Sequence, residues 1–599
     1  MKSLLAFNLV VLALYGSATQ ARDTQSWIRI NQLGYLQKSV KVAVFVSKDA
    51  KLLSQFELCD AQTNRVVFTS ERVRNYGPYA AFRASARLDF SGFQKPGQYY
   101  LRAGTVQSPN FRIANDVYDG TADFALKYMR QQRSNYNPFL KDTCHRDDGF
   151  IVYHPDPAKD STRIDASGGW HDASDYLQYL PTSANAVYQM LFAYQQNPGS
   201  FGDGHDKWGN PGANGIADVL DEAKWGLDWL LKMNPAKGEL YNQIADDRDH
   251  AGMRLPTLDT VRYGPARLGF ARPVYFVTGQ PQGAFTYKNR TKGVASTAGK
   301  FASAFALGSR ILQKYDPDYA RKLVQKAVDA YAFGRQFPGA TQTAPGRAPY
   351  FYEEDNDADD MELAAAELHR INGSNTLLQQ AIAYARAEPT TPWMGADTAR
   401  HYQWYPFVNM GHLVLAAGKT EASREARTFL RLGIEKVVKR GAGNPFLNGV
   451  PFIWCSNNLT VNLLTQMHQY RKLTSDRQFE QAEASLRDWL FGCNPWGTSM
   501  VVGLPKAGIS PRDPHSAFTH LYNYPIDGGL VDGPVYGSIW KSLLGITLYS
   551  PDEFAEFQSN VAVYHDDYGD YSTNEPTMDG TACLSYILSA LQQEGAGNQ

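Results

Sequence analysis

The chain has 599 residues, with 59 Lys and Arg against 60 Asp and Glu and a net charge of -1. Charge this balanced offers no field for nucleic acid or an anionic membrane, and the length exceeds what one ordinary core encloses. With 43% hydrophobic and 20% charged residues the protein is globular, and its 35 Tyr and 11 Trp allow exposed aromatic platforms as well as a core, so a neutral partner is expected.

Residues 1–21 read as a secretory signal peptide: Met1-Lys2-Ser3, a mostly apolar run over 4–15, then small residues up to Ala21. That run is too short to span a bilayer, and no later run reaches about 18 apolar residues. An exported monomer, periplasmic or secreted, is expected. Cys59, Cys144, Cys455, Cys493 and Cys583 are too few for a disulfide framework. One bridge is open, and the odd count leaves at least one thiol free within a monomer.

Residues 25–114 are β-rich, with alternating or β-branched runs at 28–31, 40–46, 65–68, 81–90, 98–101 and 110–113. Such short strands with turn signals between them predict an immunoglobulin-like β-sandwich. After residue 118 the period changes from two to 3.6. Apolar residues at 216, 219, 220, 223, 227, 230 and 231 form one helical stripe. Further stripes lie at 294–312, 320–333, 360–371, 377–387, 421–438, 459–470, 479–490 and 582–591. Long loops rich in Gly, Pro and aromatics separate them, notably 234–264 and 497–537. An all-α domain over 118–595 follows, with room for a toroid of some twelve helices.

Gly168-Gly169-Trp170-His171-Asp172-Ala173-Ser174-Asp175-Tyr176-Leu177-Gln178-Tyr179 concentrates glycines, aromatics and two carboxylates. If the chain turns helically after the glycines, Asp172 and Asp175 share one face. Close carboxylates raise one another's pKa, a cost tolerated mostly where acid/base chemistry or a metal needs it, although a helix start can also carry paired Asp residues. Trp170, Tyr176 and Tyr179 supply flat apolar faces with polar tips, suited to a sugar ring. A second rich stretch, 564–579, holds Asp566, Tyr571, Asn574, Glu575 and Asp579. Gly293 to Lys300 ends in Gly-Lys, but Phe301 stands where a phosphate-binding loop needs Ser or Thr. Neither a metalloprotease His pair nor a serine-nucleophile elbow occurs.

Gly-Gly-Trp-x-Asp-Ala-x-Asp-Tyr early and Tyr-x-x-Asn-Glu-x-x-x-Asp late resemble glycoside hydrolase family 9, whose enzymes are mainly β-1,4-glucanases. Asp218 to Ala223 with Trp225-Gly226-Leu227, Trp454 with Ser456-Asn457, Asn494-Pro495 and Asp513-Pro514-His515 support the resemblance. It implies an (α/α)6 barrel over 118–595, preceded by the immunoglobulin-like domain, and inversion at the anomeric carbon. By the family pattern Glu575 is the general acid and Asp175 the base, with Asp172 helping to hold the same water. Asp566 contacts sugar or orients the acid, and His515 matches the first His of a substrate motif. Trp170, Tyr179, Trp454 and Tyr571 are the expected sugar contacts, with Trp404 and Trp496 as further platform candidates.

The resemblance also implies calcium at Asp359 and Asp360, though acidic residues at a helix start are equally ordinary caps. Zinc is not expected: Cys144-His145 remain, but Arg133-Ser134 stands where an Arg-Cys would be. No organic cofactor is implied. Three departures fall in the motifs: Ser174 for the usual Gly, Gln178 for the usual Lys, and no arginine after Pro514-His515. They bear on specificity. The expected activity is endo-hydrolysis of cellulose-like or mixed-linkage β-glucan. Its rivals are an exo-acting cellobiosidase or glucosaminidase, a xyloglucan-directed enzyme and a non-catalytic glycan-binding protein.

Overall fold

The computed structural model describes residues 25–347, 352–395 and 405–597. The expected signal peptide and Trp404 lie outside the described residues. Nine strands come first: β1 (Ser26–Arg29), β2 (Val42–Ser47), β3 (Phe56–Asp60), β4 (Val66–Ser70), β5 (Val73–Asn75), β6 (Ala84–Asp89), β7 (Gly97–Ala103), β8 (Val106–Gln107) and β9 (Phe111–Ile113). They form two antiparallel sheets, β1-β2-β6-β5 and β4-β3-β7-β8, with β9 also paired to β7. All of β2 is buried, for a reason its period of two makes plain. Ala43 and Phe45 face the sandwich core, while Val44 and Val46 pack on the helical domain. Polar bonds lock the two together: Asn31 Nδ2 donates to Asp488 Oδ1 at 2.8 Å, and Arg87 Nη1 to Ser485 Oγ at 2.8 Å.

Twelve helices of seven residues or more follow among the described residues. Leu180–Gln196, Ala295–Leu312, Ala358–Asn372, Met410–Ala416, Ser456–Thr474 and Met578–Gly597 pack each on the next, and the last returns to the first. Thr121–Gln131, Asp218–Met233, Pro317–Gln336, Asn375–Ala387, Glu421–Gly441 and Glu480–Leu490 alternate with them along the chain. Leu180–Gln196 and Met410–Ala416 are not among the helices expected from the sequence. Most residues of the first and all of the second are buried, so neither shows an amphipathic stripe. Thr121–Gln131 is also unanticipated, because its buried face includes the polar Arg130 and Gln131.

All five cysteines are buried and unpaired, so the bridge left open by the sequence does not form. No described helix is long and apolar enough to cross a membrane. A four-stranded sheet of Phe150–Val152, Pro273–Phe276, Tyr241–Ile244 and Gln178–Tyr179 carries the chain out of the first motif into helix Leu180–Gln196.

Candidate active site

The first motif is an irregular loop up to Leu177 and not the expected helical turn. Gly169 has φ 71°, and a Cβ there would meet the Trp229 ring at 2.8 Å, so only glycine fits. Helix Asp218–Met233 supports the loop from behind. Trp225 Nε1 donates to Gly169 O at 2.9 Å, Trp229 Nε1 to Ala166 O at 3.0 Å, and Trp170 Nε1 to Glu222 Oε1 at 2.8 Å. Trp170 is fully buried, which corrects its expected place among the sugar contacts: its faces are spent on the core. The loop folds back on itself to set Asp172 beside Asp175. Asp172 N–H donates to Leu177 O, and Leu177 N–H to Asp175 Oδ1, each at 2.9 Å. Gln178 acts as a strut, donating to Gly168 O at 2.8 Å and accepting from Arg272 at 2.7 Å.

Glu575 enters from the C-terminal side. Asp532 N–H donates to Glu575 O at 2.9 Å, and Tyr128 OH to Pro576 O at 2.6 Å. Met578 N–H, at the start of the last helix, donates to Asp172 O at 2.9 Å, tying both motifs together. Ser174 closes the junction: its backbone N–H donates to Glu575 Oε1 at 3.0 Å, and its hydroxyl bonds the same oxygen.

Two further carboxyls complete the group. Asp579 accepts from Tyr405 OH at 2.9 Å. Asp532 is buried with Oδ1 unpartnered. Asp172 takes hydroxyl donors on both oxygens, from Thr182 at 2.6 Å and Tyr352 at 2.8 Å. Burial, then the charges of Asp579 and Asp175, hold the Asp172 carboxyl well above its usual range. Burial and then Glu575 do the same for Asp532, and burial raises Asp579 against the Tyr405 bond. Glu575 is pushed up by burial and by Asp175, with His515 and Ser174 opposing. His250 Nε2 lies 3.5 Å from Asp175 Oδ2. Burial pulls this imidazole down, but Asp175 and then Asp249 outweigh it and lift it to about 9, so an imidazolium faces Asp175 at neutral pH. A Glu575 whose protonated form burial favours, beside an Asp175 faced by His250, suits an acid and base pair for a neutral substrate.

The sequence pointed to Asp172, Asp175 and Glu575, which the fold assembles, but not to Asp532, Tyr352, Tyr405, Thr182 or His250. Asp532, between Val531 and Gly533-Pro534, was the one with a local signal, a lone carboxylate among apolar and turn residues. The tyrosines come from far along the chain and carry none.

Trp454 and Tyr571, both half-buried, stack with centroids 6.1 Å apart at 21°. His515 lies beside Tyr571 at 6.1 Å, with its Nδ1 bonded to Tyr568 O. These three form one wall near Glu575. Tyr179 leans on Tyr352 at 4.9 Å. Asp566, expected to contact sugar or to orient the acid, accepts from Arg512 N–H at 2.7 Å, Asp513 N–H at 3.1 Å and Asn574 Nδ2 at 3.2 Å. Its oxygens therefore fix the segment before Glu575. Burial raises it to about 6, against those bonds. Trp496 is buried and offers no platform.

Of the two expected calcium ligands, Asp360 is taken by Lys300, whereas Asp359 lines a small pocket with Glu354 and Glu388, in which the buried Glu354 Oε1 and Glu388 Oε1 have no hydrogen-bond partner among the described residues. Lys300 Nζ stands 2.5 Å from Asp360 Oδ2 and 2.9 Å from Glu354 Oε2, so a buried ammonium already supplies the positive charge. Burial raises Asp359 to about 7, with Lys300 opposing. Cys144, His145 and His171 place ligand atoms within 4.8 Å of one another. The fourth place belongs to Ser134, whose buried hydroxyl is unpartnered. Burial holds the Cys144 thiol up at about 12, and His145 bonds His171 and Asp259, each at 3.0 Å. This set lacks the second thiolate of a closed zinc site.

Residues 118–588 match the model of glycosyl hydrolase family 9, and residues 23–108 that of the cellulase N-terminal ig-like domain. Endoglucanase C of Cellulomonas fimi is 28% identical over 96% of this chain, which spans 52% of that protein. A xyloglucan-specific endo-beta-1,4-glucanase of Bacteroides ovatus is 26% identical over 94% of this chain and 93% of its own length. The crystal structure of a metagenome-derived family 9 endoglucanase aligns at TM-score 0.74 and 25% identity, covering 95% of this chain and 99% of that one. The chain belongs to glycosyl hydrolase family 9, its helical catalytic domain preceded by the family's immunoglobulin-like domain.

Proposed function

We propose that the protein cleaves β-1,4-glucosidic bonds within cellulose-like or mixed-linkage β-glucan, inverting the anomeric carbon. Glu575 gives its proton to the leaving glycosidic oxygen as the C1–O bond breaks. Asp175 takes a proton from water attacking C1 on the opposite face, and Asp172 helps to hold that water. Neither step calls for an organic cofactor. One observation carries the assignment: of five clustered carboxyls, Asp172, Asp532 and Asp579 are sealed, whereas Asp175 and Glu575 are partly exposed. Those two alone are open to a substrate, and burial favours the protonated form of Glu575 while His250 faces Asp175. The cycle of six helices with six alternating partners supports an (α/α)6 barrel, and the 1–21 sequence supports export.

NMR of the first products tests the reaction. The α-anomer is expected, and initial release of the β-anomer rejects inversion. Glu575→Gln is expected to abolish turnover while oligosaccharide binding persists, which separates an enzyme from a glycan-binding protein. A branched β-glucan is the second reading, favoured by the xyloglucan specificity of the Bacteroides ovatus relative. Initial rates on xyloglucan against unbranched β-glucan decide between the two.

A further inference from the structure

We propose that Ser174 is a positioning residue for the catalytic acid: it grips one oxygen of Glu575 and leaves the other for the glycosidic oxygen. The proposal rests on the acid and base roles given above. Two donors from one residue, the backbone N–H and the hydroxyl, converge on Oε1. Oε2 has no protein partner among the described residues, and Glu575 is partly exposed, so Oε2 is the oxygen open to a substrate. A glutamate side chain is otherwise free to rotate, and holding a reacting group within a few tenths of an ångström is worth much of its rate. With glycine at 174, the residue usual in the motif, only the N–H would remain.

The hydroxyl also responds to charge. It donates to Glu575 when the carboxyl is ionised, and so favours the charged form against burial. The charged or titratable neighbours of Glu575 are Asp175 and His250 on the base side, His515 and Tyr571 on the aromatic wall, and Asp532 and Tyr128 behind. Ser174 differs from all six in being a neutral donor bonded directly to the carboxyl. Removing its hydroxyl destabilises the ionised form, so Glu575 keeps its proton to higher pH.

The test compares Ser174→Ala, Ser174→Gly and Ser174→Thr with the parent and Glu575→Gln on a soluble β-glucan oligosaccharide. It measures kcat and KM across pH, with Tm as the check on folding. Expected for Ala and Gly are a roughly tenfold loss of kcat with KM little changed, and an alkaline limb moved up by about one pH unit. Thr, which keeps the hydroxyl, is expected to restore both. Parent-like kcat and an unmoved limb in Ala and Gly overturn the proposal, as does a loss that follows Tm alone. If Glu575→Gln stays active, the acid assignment itself fails. If Glu575→Gln is inactive while Ser174→Ala matches the parent, only the role of Ser174 fails.

Discussion

Two groups of buried carboxyls stand in the helical domain, and they are neutralised in different ways. Glu354 and Asp360 close on the Lys300 ammonium, a fixed charge that is 5% exposed. Asp172, Asp579 and Glu575 take hydroxyl partners from Thr182, Tyr352, Tyr405 and Ser174, and the cation facing Asp175 is a histidine that itself titrates. A buried ammonium makes a strut, because removing it leaves the carboxyls it bonds buried without a counter-charge. Hydroxyls and an imidazole leave the protons free to move, which a catalytic group requires.

Glu575→Gln breaks the second group where the chemistry lies. Turnover is expected to fall by roughly two to four orders of magnitude, with Tm unchanged or raised, since a neutral amide replaces a carboxyl whose charged form burial disfavours. Assay and calorimetry on the same sample check this, and an active variant removes the distinction. Lys300→Met breaks the first group. It leaves buried carboxylates uncompensated, and about 3–5 kcal/mol of stability is expected to be lost, with the folded fraction still active. The loss shrinks as pH falls through about 7, where Asp359 takes up its proton. Thermal melts across pH report it. EDTA then separates the two expected calcium ligands: an unmoved Tm leaves Lys300 as the cation of this group, and a drop restored by calcium places an ion beside Asp359.

Tyr352→Phe sharpens the boundary, since Tyr352 donates to Asp172 and lies two residues before Glu354. Its hydroxyl is one of two donors that hold the Asp172 carboxyl in place, so kcat is expected to fall about tenfold, and stability by the roughly 1–3 kcal/mol that an unpaired buried polar group costs. The smallest effect belongs to His250→Gln. A raised imidazole stabilises the fold below its unfolded pKa and loses that contribution as pH rises through the folded one. The parent's Tm advantage should therefore be full below pH 6.5 and gone above about 9. Partial exposure and screening keep it modest, and an advantage that grows with pH rejects the pair.

The strands and most helices were legible because each has one buried face and therefore a period. β5 and β8 were missed for their shortness, β3 because Leu58 and Cys59 are both buried and break its alternation, and the inner helices Leu180–Gln196 and Met410–Ala416 for having no exposed face. Asp172, Asp175 and Glu575 stood out through dense local motifs. Their hydroxyl partners did not, since Tyr352 and Tyr405 lie 180 and 174 residues from Asp172 and Asp579.

By itself, the sequence determined two domains, the family and the motifs that carry Asp172, Asp175 and Glu575, since periodicity and short motifs are local properties of the chain. Tertiary structure decided what each residue spends its atoms on. It buried Trp170 in the core, turned Asp566 to a loop, and set Lys300 against Asp360, one of the two expected calcium ligands. It also gave Ser174, on the sequence only a departure from a pattern, a grip on Glu575. Those outcomes depend on which groups meet across hundreds of residues in a low-dielectric interior, where a partner's charge and geometry count for more than its place in the chain.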